Sequence, residues 1–157
     1  MRIVPLTTDN VAYAVGLARE LHSLGTFGQN GPEFDWDYTL RTMLATLGDP
    51  NYYFRLAMVD ADYVGAVCGK VVPFYFSPRG QGIEDAWYVR SGVRYRASIA
   101  MALMRGFVAW CLDERKAVLV QTGDIASINP SAVDALYRHM GFKRFGSIYK
   151  YAREAQC

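Results

Sequence analysis

Residues 83–110, IEDAWYVRSGVRYRASIAMALMRGFVAW, decide how the chain is read. Trp87, Tyr88 and Val89 are three β-formers in a row and open the stretch as a strand. A basic turn follows, Ser91-Gly92-Val93-Arg94-Tyr95-Arg96, and the spacing predicts a helix from near Ser98. In that helix Ile99, Leu103, Phe107 and Trp110 recur at three- and four-residue steps and form one apolar stripe. Strand, basic turn and helix start together make a setting for an anion. The first amides of a helix have no intrahelical partner and carry the positive end of its dipole. Ala97, Ser98 and Ala100 are small enough to let a phosphate approach that backbone, and Arg94 and Arg96 add charge.

Working outward, 157 residues form one domain with a core of its own, and no repeat or linker divides them. Hydrophobic residues at 52% against charged residues at 20% exclude a disordered chain. A formal net charge of +2 is too small for a nucleic-acid footprint. There is no apolar run of membrane-spanning length and no signal-peptide pattern at the N-terminus, so neither a membrane nor secretion is expected. Cys68, Cys111 and Cys157 are odd in number and far apart, and only two histidines accompany them. That argues against disulfides or a metal site and for a reducing, cytoplasmic setting.

Before the central stretch, Arg2 to Leu6 reads as an edge strand, with N-cap candidates at Thr7, Thr8 and Asp9 and a helix to about Leu24. His22 and His139 each fall in the last turn of a helix, where a cation suits the dipole. A glycine-rich loop, Gly25 to Asp35, precedes a helix from about Asp37 to Leu47. The loop is long for a helix–helix connection; Phe27, Phe34, Trp36 and Tyr38 either line a binding site or cover the core. Tyr52 to Val59 and Tyr63 to Phe76 read as antiparallel strands, and Gly65, Gly69 and Pro73 imply a bend or bulge in the second. Ser77 to Gly82 reads as a loop. Ala117 to Gln121 is a continuous apolar run, expected as a buried strand. Asn129 then caps a helix with Pro130 in its first turn, Gly141 stops it, and Phe142 starts a last strand through Tyr151.

Two of these stretches resemble the GNAT acyl-CoA N-acyltransferases. The family's pyrophosphate loop, Gln/Arg-x-x-Gly-x-Gly/Ala, falls on Tyr95, Arg96, Ala97, Ser98, Ile99 and Ala100. Ala100 fits, whereas Tyr95 replaces the Gln/Arg and Ser98 the first Gly. Asn129, Ala132, Tyr137, Gly141 and Phe142 match the family's second motif at every named position.

The resemblance implies an α/β fold: a central mixed, mostly antiparallel sheet flanked by helices, with a V-shaped splay between its two central strands. It implies a transferase that moves an acetyl (acyl) group from acetyl-CoA, as co-substrate and without a metal, to a small-molecule or peptide amine. Main chain at Tyr88, Val89 and Arg90 is expected to hold the pantetheine arm with Asn129, and the loop at Gly25–Asp35 to wall the acceptor site. Tyr137 is expected as general acid. For the base, strand alternation points Glu84 and Asp85 to opposite faces, so only one faces the cleft. The family's spacing favours Glu84, with Asp85 or solvent as alternatives. The acids Glu33, Asp35 and Asp37 point to a cationic acceptor or are merely solvated. An exposed final strand would suit pairing in a homodimer. The departures in the loop leave a second reading open: a non-catalytic CoA-binding or protein-interaction module.

Overall fold

Period-two alternation builds the sheet. In β2 (Tyr52–Val59) Phe54 and Leu56 pack toward one helical layer, and Tyr53 and Ala57 toward the other. A computed structural model describes residues 1–123 and 128–145, with backbone alone at 29 and 30. Five strands lie in the order β1-β2-β3-β4-β5: β1 (Arg2–Pro5), β2, β3 (Asp62–Phe74), β4 (Ser77–Val89) and β5 (Val120–Gln121). The first three pairings are antiparallel and β4–β5 is parallel, so the sheet is mixed and mostly antiparallel as expected.

One face carries α1 (Val11–Leu24) and α3 (Trp36–Ala45), with Val11, Ala14 and Leu17 buried against Leu56, Cys68 and Tyr88. The other carries α4 (Arg96–Ala109), prolonged by a π-helical turn, Trp110–Glu114. The α4 stripe is the core of that face: Ile99, Leu103 and Phe107 are buried, and Trp110 is 8% exposed. Asn129 caps α5 (Pro130–His139) by accepting from the Ala132 amide at 3.3 Å. The chain leaves that helix at Gly141, whose φ of +89° is open to glycine at little cost.

The structure corrects several expectations. Asn10, not Thr7, Thr8 or Asp9, is the N-cap of α1; its side chain accepts from the Thr7 amide and donates to the Pro5 carbonyl, fixing the turn out of β1. The Gly25–Asp35 loop holds a one-turn helix, α2 (Thr26–Asn30). Ser77 to Gly82 is strand and not loop. The β3 partner extends far enough to pair Val71 with Gly82 and Pro73 with Gly80, which overrides a Pro/Gly-rich composition. Ala117 is buried, but Val118 and Leu119 are each 38% exposed and only Val120–Gln121 forms strand. Those residues lie at the sheet's edge among the described strands, where one side faces out. Residues 142–145 are irregular; the remainder of the expected last strand, and with it the dimer edge, lies outside the described residues.

The glycines of β3 matter for packing. A Cβ at Gly69 would collide with the Ile83 carbonyl and meet the Phe107 ring at 2.7 Å, so α4 sits on the sheet only because that position is bare. Gly69→Ala is expected to destabilise the fold by about 1–3 kcal/mol, read as a lower denaturant midpoint at unchanged slope.

Candidate active site

The parallel ladder between β4 and β5 has two rungs, Gly82 with Val120 and Ile83 with Gln121. Glu84 and Thr122 are the next residue on each strand, and there the described ladder ends. A polar group closes this apex. Thr122 Oγ1 lies 2.6 Å from Glu84 Oε2 and 2.5 Å from the Tyr137 hydroxyl, which is itself 3.4 Å from the same carboxylate oxygen. A threonine hydroxyl has one proton and a carboxylate has none to give. The order that satisfies all three is Tyr137 donating to Thr122 and Thr122 donating to Glu84. The Gly123 amide also donates to Glu84.

Glu84 as a whole is half-buried, but its carboxylate sits deep. Burial raises its pKa from 4.5 to about 7, against the opposing pull of the Thr122 hydroxyl, the Gly123 amide and the nearby Tyr137 hydroxyl. Asp85 goes the other way: it accepts from the Tyr52 hydroxyl at 2.9 Å and pairs with Lys70 at 3.5 Å. A bulge separates the two carboxylates. Gly69 pairs with Glu84 and Cys68 with Ala86, which leaves Asp85 as the extra residue.

Beyond the apex, β4, the start of α4 and α5 enclose a cavity of about 280 Å³. Trp87, Tyr88 and Val89 form one wall, Arg96, Ala97 and Ala100 a second, and Asn129, Ala132 and Leu136 a third. Trp87 joins cavity to apex: its indole donates to the Ala100 carbonyl at 3.1 Å, and its ring lies 5.2 Å from that of Tyr137. Helix α4 begins at Arg96, two residues before the expected Ser98, with Tyr95 at the N-cap and φ of 60°. Ile99 already bonds the Tyr95 carbonyl. The amides of Arg96, Ala97 and Ser98 are therefore the helix-start donors, while Ile99 and Ala100 belong to the helix ladder and the core.

The basic residues are divided in their tasks. Arg96 Nε donates to the Val89 carbonyl at 2.9 Å and braces the helix start against the strand. The Arg94 guanidinium lies over the Tyr95 ring at 4.7 Å. Arg90 makes a two-pronged ion pair with Glu20 of α1, at 2.6 Å at its closest. Its backbone amide bonds the Val64 carbonyl of β3 at 2.9 Å, so it faces into the sheet. Alternation then turns the main-chain groups of Trp87 and Val89, not those of Tyr88 and Arg90, toward the open edge.

In the region expected to wall an acceptor site, His22 Nε2 contacts the Pro32 carbonyl at 2.9 Å and its ring meets Phe34 edge-on. Asp35 caps α3 by accepting from the Tyr38 amide. Trp36 is 40% and Tyr38 64% exposed, so those two do not cover the core. His139 is exposed on the last turn of α5.

Solved structures match the fold over nearly the whole chain. Aminoglycoside N-acetyltransferase AAC(6')-Iy, in complex with the bisubstrate analogue CoA-S-monomethyl-acetylneamine, superposes with a TM-score of 0.77 at 15% identity, covering 98% of each chain. A putative acetyltransferase from Agrobacterium tumefaciens matches with a TM-score of 0.75 at 15% identity, over 98% of this chain and 100% of its own. The 6'-N-acetyltransferase AAC(6')-IG from Acinetobacter haemolyticus gives 0.70 at 16% identity, over 99% and 100%. The fold is that of the GNAT acetyltransferases. No family model and no curated protein sequence matches the chain, so the likeness resides in the fold.

Sequence reading missed Thr122 and the open-edge role of Trp87. A lone threonine after an apolar run carries no signal until the strand pairing is seen to set it beside Glu84. Among the described residues no cluster of His, Cys, Asp or Glu has the form of a metal site, and no helix is long and apolar enough to cross a membrane.

Proposed function

We propose that the chain transfers an acetyl group from acetyl-CoA to the primary amine of a small molecule. The observation that carries this reading is the Glu84–Thr122–Tyr137 group at the apex of the splay, joined through Trp87 to a cavity that ends on the free amides of a helix. Each chemical need has a residue. The Arg96, Ala97 and Ser98 amides, with Arg96 beside them, suit a pyrophosphate. Main chain at Trp87 and the amide of Val89, whose carbonyl Arg96 already engages, suit the pantetheine amides, in the way an edge strand takes a partner. Asn129 lines the cavity, although its side-chain oxygen also caps α5. Glu84, with a pKa of about 7, is matched to accepting a proton from the attacking nitrogen near neutral pH. Tyr137 donates to the departing sulfur.

A small-molecule amine is proposed because AAC(6')-Iy binds a bisubstrate analogue in a fold of the same outline. Glu33 and Asp37 are exposed and carry the charge that complements a cationic acceptor. The test is thiol release from acetyl-CoA across a panel of primary amines, with thermal shift as the binding readout. At about 100-fold excess over its Kd, acetyl-CoA is expected to add roughly 2.7 kcal/mol to stability. Arg96→Ala is expected to weaken acetyl-CoA binding far more than binding of a pantetheine fragment that lacks the pyrophosphate. Equal loss for both would place the anion site elsewhere. Binding of acetyl-CoA without thiol release for any amine would favour the non-catalytic module.

A further inference from the structure

We propose that Thr122 passes a proton between Glu84 and Tyr137, so that the base and the acid of the reaction act as one hydrogen-bonded chain. This rests on the acetyl-transfer reading above and assigns the connection that reading leaves open. The geometry carries it. The Thr122 hydroxyl is within 2.6 Å of the carboxylate and 2.5 Å of the phenol, whereas the direct phenol–carboxylate separation is 3.4 Å. A hydroxyl can accept from one neighbour while donating to the other, and rotation about its C–O bond reverses which neighbour is which. Thr122 is held for this by its place one residue past the last β4–β5 rung, opposite Glu84.

The proton balance is closed. An ammonium acceptor loses a first proton to solvent before attack. As the N–C bond forms and the C–S bond breaks, the nitrogen's second proton goes to the Glu84 carboxylate. Once Glu84 is protonated the two hydroxyls turn, so that Glu84 donates to Thr122 and Thr122 to Tyr137, the reverse of the resting order. Glu84 then passes its proton to Thr122 Oγ1, and Thr122 passes its own to Tyr137. The phenol proton of Tyr137 goes to the sulfur. Amide and free thiol leave, and all three side chains return to their starting protonation. Thr122 touches no reacting atom of the substrates, so it is a positioning residue that acts through its two neighbours.

The test compares Thr122→Val, which keeps the shape, with Thr122→Ser, which keeps the hydroxyl; Thr122→Ala repeats the deletion in case Val crowds the apex. The deletions are expected to lower kcat by about 10- to 10²-fold, and Ser to restore it to within about threefold of wild type. Affinity for acetyl-CoA should stay unchanged in all three. The rate in mixtures of light and heavy water should curve in wild type, from several protons in flight, and straighten in Thr122→Val. The acid limb of the kcat–pH profile should move to higher pH in the deletions, because the Thr122 bond lowers the Glu84 pKa. The other groups facing Glu84 remain in place: Tyr137 from α5, the Gly123 amide from beyond β5, Asp85 on its own strand and Cys68 on β3. An active wild type with an equally active Thr122→Val and an unaltered isotope curve overturns the chain alone. A wild type that releases no thiol with any amine overturns the acetyl-transfer reading itself.

Discussion

Tyr137→Phe is expected to lower kcat by about 10²-fold or more, with acetyl-CoA affinity barely changed. A phenol aimed at the sulfur stabilises a thiolate that exists only as the C–S bond breaks, so the interaction belongs to the transition state. Loss of such an interaction lowers kcat and kcat/KM together. The substitution leaves the ring where it is, 5.2 Å from Trp87 and 5.4 Å from Phe142. Removing one hydroxyl at the apex should cost about 1 kcal/mol of stability, the scale of a single hydrogen bond. An acyl donor whose thiol leaves more easily should shrink the kinetic loss, since it needs less help from an acid. Steady-state kinetics with both donors and a melting curve for each protein decide the matter. If Tyr137→Phe melts much earlier and turns over normally per folded molecule, the hydroxyl is a structural group.

The elements that local chemistry specifies were legible in the sequence. The α4 stripe of Ile99, Leu103 and Phe107 lies fully inside, because three- and four-residue spacing alone settles which face of a helix is buried. The α5 frame was legible for the same kind of reason, since Asn129 at the cap and Gly141 at the stop act on adjacent backbone. What pairing decides was not legible. Ser77 to Gly82 has a loop's composition and becomes strand because β3 offers it partners from Val71 to Phe74. Asn10 stands at the N-cap of α1 while its side chain folds back to the Pro5 carbonyl, a contact set by the exit of β1 and not by residue type. At the site, Glu84 and Asp85 are adjacent in sequence, and alternation says only that they separate. The bulge at Asp85 is what gives Asp85 to Tyr52 and Lys70 and Glu84 to Tyr137. Thr122 gains meaning only from the pairing of two strands nearly forty residues apart in the chain, which sets it beside Glu84.

Glu84→Gln is expected to lower kcat by about 10²- to 10³-fold above pH 8, where the wild-type carboxylate is ionised and able to accept a proton. In wild type the rate should rise through about pH 7, the pKa that burial imposes on Glu84. In the variant that limb should vanish, leaving only the titration of the amine acceptor. The same substitution carries a stability signature of opposite sense. The folded-state pKa lies above the unfolded value near 4.5, so the folded chain holds this proton more tightly. Wild type therefore loses stability as pH rises from about 4.5 to about 7, by roughly 3 kcal/mol at most if burial acts in full. Glutamine is neutral throughout and accepts the same bonds from Thr122 and Gly123 through its carbonyl oxygen. Glu84→Gln should thus unfold at higher denaturant than wild type at pH 8, and the advantage should fade toward pH 4. A slower and more stable enzyme is the mark of a carboxylate kept buried for its chemistry. A variant with the wild-type pH–rate profile would move the base to solvent, because Asp85 is turned to the opposite face and engaged by Tyr52 and Lys70.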